Sequence, residues 1–129
     1  MRVEERFECW NRGELDLMME PYAEDAVFDV SKVFTDVGPK HGREAMLRYW
    51  YELRETWGEL RMDPKEVFDV GNNRFVLEVR LWGKGQASGA EVDQRFAFLY
   101  TFRDEKIIRA ELHPDLQTAL SAAESPTTA

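Results

Sequence analysis

The chain has 129 residues, a formal net charge of −8 and a single cysteine. This length, without a Pro/Gly-rich linker, fits one domain, which we assign to residues 1–123, followed by a flexible tail at 124–129. The acidic balance argues against binding to nucleic acid or to an anionic membrane surface, and one cysteine excludes a disulfide within the chain.

The first half of the chain predicts helices and one strand. The expected elements are a helix from residue 3 to 10, a short helix over 14–19, a strand over 26–30, a loop over 31–41 and a long helix over 43–57. In the long helix, Met46, Trp50 and Leu53 recur at helical spacing and form an apolar stripe. This helix is therefore expected to cover a core.

The second half predicts antiparallel strands. They are expected over 60–70, 74–83, 91–103 and 106–113, with turns at 71–73, 83–89 and 104–105, and a last helix follows over 115–123. Alternation gives the sheet two different faces: Leu77 and Val79 point one way, whereas Glu78 and Arg80 point the other. On the last strand the apolar side is predicted to hold Ile108, Ala110 and Leu112.

This order of elements indicates an α+β domain with one curved, mostly antiparallel sheet and helices on its concave face. Three stretches then resemble a known family, the SnoaL-like group of the NTF2-like superfamily. They are WNRGELDLMMEPYAEDAVFD, HGREAMLRYW, and GQASG followed by FLYTFRDEKIIRAELHPDLQTAL. The resemblance implies a single cone-shaped, cystatin-like domain. It leaves function open, because similar proteins include ketosteroid isomerases, epoxide hydrolases, polyketide cyclases and noncatalytic modules.

The catalytic residues of two enzyme groups of this superfamily are replaced at the matching positions of this sequence. The catalytic acid, the oxyanion-stabilising acid and the helix-one tyrosine of ketosteroid isomerases correspond here to Val30, Phe98 and Arg6. The late acid of limonene epoxide hydrolases corresponds to Leu112. The catalytic residues are therefore unknown; Asp29 is the best candidate, and only if the strand register differs from the one predicted by alternation.

The concave face supplies the candidate ligand-binding residues. They are Tyr22, Phe28, Trp50, Gln94, Tyr100 and Leu112. Arg6 allows two arrangements, since its side chain either extends to solvent or reaches the pocket and pairs with an anionic ligand; the general habit of arginine favours solvent. Two histidines and one cysteine without a metal-ligand spacing predict no metal site, and no cofactor is expected.

The charged face of the sheet is interpreted as a homodimer interface, because apolar residues stand beside ordered charges there. The residues assigned to it are Arg80, Trp82, Arg95, Leu99, Glu111 and His113. His113 shares this face with Glu111, which argues against a role as a general base in the cavity.

Two functions remain open from the sequence. One is a small-molecule-binding domain for an apolar or aromatic, polyketide- or steroid-like metabolite, with isomerase, cyclase or hydrolase chemistry undecided. The other is a noncatalytic dimeric interaction or scaffolding module whose cavity is filled by its own side chains. No apolar run reaches the roughly 18 residues of a membrane span and the charged start is unlike a signal peptide, so a cytoplasmic location is expected.

Overall fold

A computed structural model describes residues 3–85 and 89–124. The described residues form four helices and one curved sheet of six strands in the order β2-β1-β6-β5-β4-β3. The helices are α1 (Val3–Arg12), α2 (Leu15–Met18), α3 (Arg43–Thr56) and α4 (Leu116–Glu124). The strands are β1 (Tyr22–Asp29), β2 (Lys40–His41), β3 (Trp57–Gly71), β4 (Arg74–Gly85), β5 (Glu91–Arg103) and β6 (Lys106–His113). No helix within these ranges is long and apolar enough to cross a membrane.

The predicted elements are present, and the differences lie at their ends. The first strand begins at Tyr22, four residues before the predicted start, because Tyr22 already pairs with Ile107 of β6 across an irregular step. The predicted loop over 31–41 ends in the short strand β2, which pairs with Val27 and Phe28 of β1. Part of the predicted turn at 83–89, residues 86–88, lies outside the described residues, as does the tail beyond Glu124.

The sheet has an inner face, marked by Leu77 and Val79, and an outer face, marked by Val76 and Leu99. Helices α1, α2 and α3 pack on the inner face and form the main core with it. Helix α4 departs from the predicted arrangement. Its Ala119 packs with Val76 and Leu99 in a second, smaller core on the outer face. The chain therefore covers part of both faces of its own sheet.

One register shift changes which isoleucine faces the core. Thr101 pairs with Arg109 and Phe102 with Ile107, so Ile108 is an extra residue in β6. This bulge turns Ile107 inward, where it is fully buried, whereas Ile108 is only half-buried. The prediction that Ile108 lies on the inner face is wrong for this reason, since strict alternation cannot register an inserted residue.

Hydrogen bonds to backbone fix α1 against β3. The Trp10 indole N–H donates to the carbonyl of Leu60 at 2.9 Å. The Asn11 side chain binds both backbone groups of Met62, each at 3.0 Å, and so acts as a short piece of strand partner. These contacts set the position of Arg6 one helical turn before Trp10.

Candidate functional site

A cavity of about 390 Å³ lies between the inner face of the sheet, α3 and the loop of residues 31–39. Helix α3 contributes Tyr49, Trp50 and Leu53 to the cavity wall, and β4 contributes Val79 and Leu81. The loop adds three further apolar side chains, Val33, Phe34 and Val37. Phe34 remains 43% exposed, so an aromatic ring stands in contact with both the cavity and solvent.

Stacked aromatic rings form the floor of the cavity. The Phe28 ring centroid lies 5.1 Å from that of Trp50 and 6.2 Å from that of Phe98, in both cases with nearly parallel planes. Tyr49 meets Phe28 edge-on at 6.0 Å. Such offset and edge-to-face contacts hold the rings in place and present a flat, apolar surface to the cavity.

Few polar groups reach this cavity. Among the described residues that line it there is no carboxylate, imidazole, ammonium or guanidinium group. The polar groups are instead aromatic O–H or N–H groups and the amide of Gln94. Burial raises the pKa of the Tyr49 hydroxyl, so this group stays protonated at neutral pH. No described residue accepts a hydrogen bond from the buried Trp50 indole N–H.

A buried arginine lies behind the floor of the cavity. Arg6 is 3% exposed and its Nη1 donates to the Tyr22 hydroxyl at 2.7 Å. The guanidinium carbon lies 4.6 Å from the Tyr100 ring centroid, 5.1 Å from that of Tyr22 and 5.4 Å from that of Phe7. We call Arg6, Tyr22 and Tyr100 the arginine cluster. The favoured prediction that Arg6 extends to solvent is wrong, because the two tyrosines and Phe7 enclose it.

Burial acts differently on the two kinds of group in the arginine cluster. It disfavours the charged guanidinium, but Tyr100 and Tyr22 more than offset this, and the pKa of Arg6 lies above its ordinary value. Burial also raises the pKa of the Tyr100 hydroxyl, which therefore remains neutral. At neutral pH the cluster thus carries one positive charge.

The structure divides the six predicted ligand-binding residues into two groups. Phe28, Trp50, Gln94 and Leu112 line the cavity. Tyr22 and Tyr100 instead belong to the arginine cluster, where they line a separate void of about 10 Å³. Whether any of the six binds a ligand stays a prediction.

Sequence reasoning missed the contribution of the loop. Val33, Phe34 and Val37 line the cavity beside Val30, the last residue of the predicted strand, although the sequence predicts only a connecting loop over 31–41. Their spacing of three, one and three residues carried a signal, since it resembles the apolar face of a helix. Turns in the loop place these side chains on one side, with the Phe34 N–H bonded to the Val30 carbonyl at 2.8 Å.

Asp29 lies on the outer face of the sheet and does not reach the cavity. Its Oδ1 accepts hydrogen bonds from the backbone N–H and hydroxyl of Ser31, and its Oδ2 lies 3.4 Å from Arg109 and 3.5 Å from Lys32. Burial disfavours the charged carboxylate, yet these partners outweigh it and lower the pKa of Asp29. The condition under which Asp29 was a catalytic candidate, a different register, is not met.

The predicted dimer face is smaller than expected. Leu99 is 3% exposed because α4 covers it, and His113 is 1% exposed, so neither is available to a partner. Arg80 and Arg95 remain accessible and form cross-strand ion pairs, Arg80 with Asp93 at 2.8 Å and Arg95 with Glu78 at 3.5 Å. Trp82 and Glu111 are half-buried, and Trp82 donates to Asp63 at 3.1 Å.

The burial of His113 leads us to predict that the folded protein loses stability in mild acid. Neither ring nitrogen has a hydrogen-bond partner among the described residues. Burial lowers the pKa of His113 below its ordinary 6.5; nearby Glu111 opposes this shift and Lys32 adds to it. Because the folded-state pKa is lowered, the neutral imidazole stabilises the fold above the unfolded-state pKa, and this contribution is lost as pH falls below about 6.5.

The measurement is the free energy of unfolding in urea at about pH 7.5 and about pH 5.5. Asp29 does not interfere, since a carboxylate with a lowered pKa loses its contribution only below about pH 4. We expect His113→Leu to lose less stability between the two pH values than the parent protein. The control is His41→Gln at the exposed histidine of β2. Equal pH dependence in the parent and in His113→Leu contradicts the prediction.

A curved sheet with three helices on its inner face, and a cavity between that face, α3 and the loop of residues 31–39, defines the class of cone-shaped α+β domains. A model of the SnoaL-like domain family matches residues 3–110, and the chain belongs to this family. No curated protein matches the sequence.

Solved structures share the fold at low identity. TerC, co-crystallised with polyporic acid, is 17% identical with a TM-score of 0.74, and the match covers 93% of each chain. An NTF2-like protein of unknown function from Burkholderia pseudomallei is 17% identical with a TM-score of 0.75, covering 97% of this chain and 100% of that one. The epoxide hydrolase/cyclase-like enzyme SalBIII, which has a role in pyran ring formation in the polyether salinomycin, is 18% identical with a TM-score of 0.72. The match covers 89% of this chain and 88% of that one. At these identities the likeness concerns the fold alone.

Proposed function

We propose that this protein binds a small apolar or aromatic molecule in the cavity between α3, the loop of residues 31–39 and the sheet. The observation that carries the proposal is a cavity of about 390 Å³ whose wall is almost entirely apolar and aromatic. Ligand cavities in proteins range from about 300 to 1,000 Å³ and combine such walls with a few polar groups. One solved structure of this fold was co-crystallised with a small molecule, polyporic acid, which is consistent with the proposal.

The alternative, an interaction module whose cavity is filled by its own side chains, has less support. The aromatic side chains expected to fill it, among them Trp50 and Phe98, lie in the wall and leave the volume open. The exposed ring of Phe34 beside this volume suits a loop that closes over a ligand.

Binding is better supported than catalysis. Isomerase, cyclase and hydrolase reactions that proceed by proton transfer need a group that takes or gives a proton near neutral pH. The described residues of the cavity wall offer only Tyr49 as a titratable side chain, and burial raises its pKa further from neutrality. Trp50 and Gln94 are suited to orienting a ligand by hydrogen bonds.

The test is native mass spectrometry of the purified protein for a copurified small molecule, followed by titration with the neutral fluorescent probe N-phenyl-1-naphthylamine. Leu53→Trp should fill the cavity and abolish probe binding, since Leu53 lies in its wall. Tyr51→Trp is the matched control on the same helix, because Tyr51 is 46% exposed and outside the cavity. Probe binding that is unaffected by Leu53→Trp places the binding elsewhere and overturns the proposal.

The homodimer stays a prediction, now confined to a face around Arg80, Trp82 and Arg95. Sedimentation velocity at micromolar concentration is expected to give twice the mass of one chain, and Trp82→Glu should shift it to the single-chain mass. A single-chain mass for the parent protein contradicts the prediction. The cytoplasmic location likewise stays an inference from composition.

A further inference from the structure

Arg6 carries a buried positive charge that no described acidic residue neutralises. Its contacts among the described residues are with Tyr22, Tyr100 and Phe7, and no carboxylate among those residues pairs with it. Asp29, in contrast, is buried as well, at 6% exposure, and has both Arg109 and Lys32 within 3.5 Å. Burying an unpaired charge is strongly unfavourable, so a chain that keeps one there holds a group poised for an anion.

The unpaired polar atoms beside the cavity are all donors. Arg6 Nε, Arg6 Nη2 and the Trp50 indole N–H are buried and lack a hydrogen-bond partner among the described residues. Arg6 and Trp50 both line the small void of about 10 Å³, and Trp50 also lines the large cavity. A complementary ligand group must therefore accept hydrogen bonds, and the guanidinium favours one with negative charge.

A thin partition separates the void from the cavity. Trp50, Met62 and Phe98 line both spaces and therefore form this partition. The void has room for about one water molecule but not for a carboxylate. Met62 is the flexible member, because its unbranched side chain has three rotatable bonds and adapts to irregular gaps. We expect a shift of this side chain to join the two spaces, while its backbone stays in place because Asn11 binds it.

We propose that the arginine cluster is the polar end of the ligand site, where Arg6 and Trp50 bind an anionic oxygen of an otherwise apolar molecule. The ligand class is an aromatic carboxylate or phenolate: its body fills the apolar cavity and its acidic group meets the guanidinium. A polyanion such as a nucleotide does not fit, because the site offers one cation inside apolar walls. This inference rests on the proposed function and narrows its ligand.

The test compares two ligands of similar size, 2-naphthoate and neutral 2-naphthalenemethanol, by isothermal titration calorimetry at neutral pH. The parent protein should bind 2-naphthoate roughly ten-fold to a hundred-fold more tightly than the alcohol, as expected for hydrogen bonds to a charged group. Arg6→Met should abolish this preference and still bind the alcohol. Arg6→Lys, which keeps the charge but loses the planar fork, should retain part of it. Arg48→Met, at an exposed arginine of α3, is the matched control and should leave the preference unchanged.

A second measurement reports the contact directly. In ¹⁵N-resolved NMR spectra, the Arg6 Nε–H and Trp50 Nε1–H signals should shift with 2-naphthoate more than with the alcohol. Arg6→Met is expected to fold, because replacing an unpaired buried charge by an apolar side chain is commonly neutral or stabilising. Equal affinity for the two ligands in the parent protein overturns this inference and leaves the proposed function standing. Binding of neither ligand overturns both.

Discussion

Replacing Ala119 by Asp is expected to detach α4 from the sheet and to lower the free energy of unfolding by about 3 to 5 kcal/mol. Ala119 is fully buried against Val76 and Leu99 of the outer face, so the new carboxylate would lie in an apolar contact without a counter-ion. Detachment also exposes those sheet residues, which should cause self-association that increases with protein concentration.

The measurement is urea unfolding followed by circular dichroism, together with size-exclusion chromatography at two protein concentrations. Ser121→Asp is the matched control, since Ser121 lies on the same helix and is exposed. It should leave stability within about 0.5 kcal/mol of the parent protein and should not associate. Loss of stability that is the same in both variants would show that the sheet contact of Ala119 is not what holds α4.

The outer face of the sheet shows that alternation predicts which residues share a face but not which element covers that face. Period-two alternation correctly placed Leu77 and Val79 on one face and Glu78 and Arg80 on the other, because the pleat of a strand enforces it. It also predicts that Leu99, an apolar residue on the charged face, has to be buried against another element. Alternation does not show which element buries Leu99, because the short helix at the end of the chain is equally compatible with either face. The position of that helix depends on tertiary contacts such as the hydrogen bond from Arg74 to the Ala123 carbonyl.

The candidate site was predictable to the same extent. The apolar wall follows from the long helix and the strands, whose periodicity is strong. The burial of Arg6 does not, because it requires Tyr22 and Tyr100, which two distant strands bring to one place. Residue type alone predicts that an arginine side chain is exposed to solvent. Pairings between distant segments, like the bulge at Ile108, are decided by tertiary packing and leave little trace in local sequence.

Replacing Phe28 by Ala is expected to have a similarly large effect and to connect stability with the cavity. Phe28 is 1% exposed and stacks against Trp50 and Phe98 in the cavity floor. Removing a buried phenylalanine ring costs about 3 to 5 kcal/mol, from lost transfer free energy and from the space left behind. That space adjoins the existing cavity, so the enlarged volume should accept an additional aromatic ring.

Benzene should therefore restore part of the lost stability of Phe28→Ala, since a ligand that binds only the folded state stabilises it by about 2.7 kcal/mol at a hundred times its dissociation constant. The matched control is Phe75→Ala, which removes a ring of the same size from the same sheet. Phe75 packs edge-on against Phe102 at 5.5 Å and does not line the cavity. The measurement is the melting temperature of each variant with and without benzene. We expect benzene to raise the melting temperature of Phe28→Ala more than that of Phe75→Ala. Only Phe28→Ala adds the volume of its lost ring to a space that ligands enter. An equal increase in both variants means that benzene acts without regard to the cavity and contradicts the assignment of Phe28 to its floor.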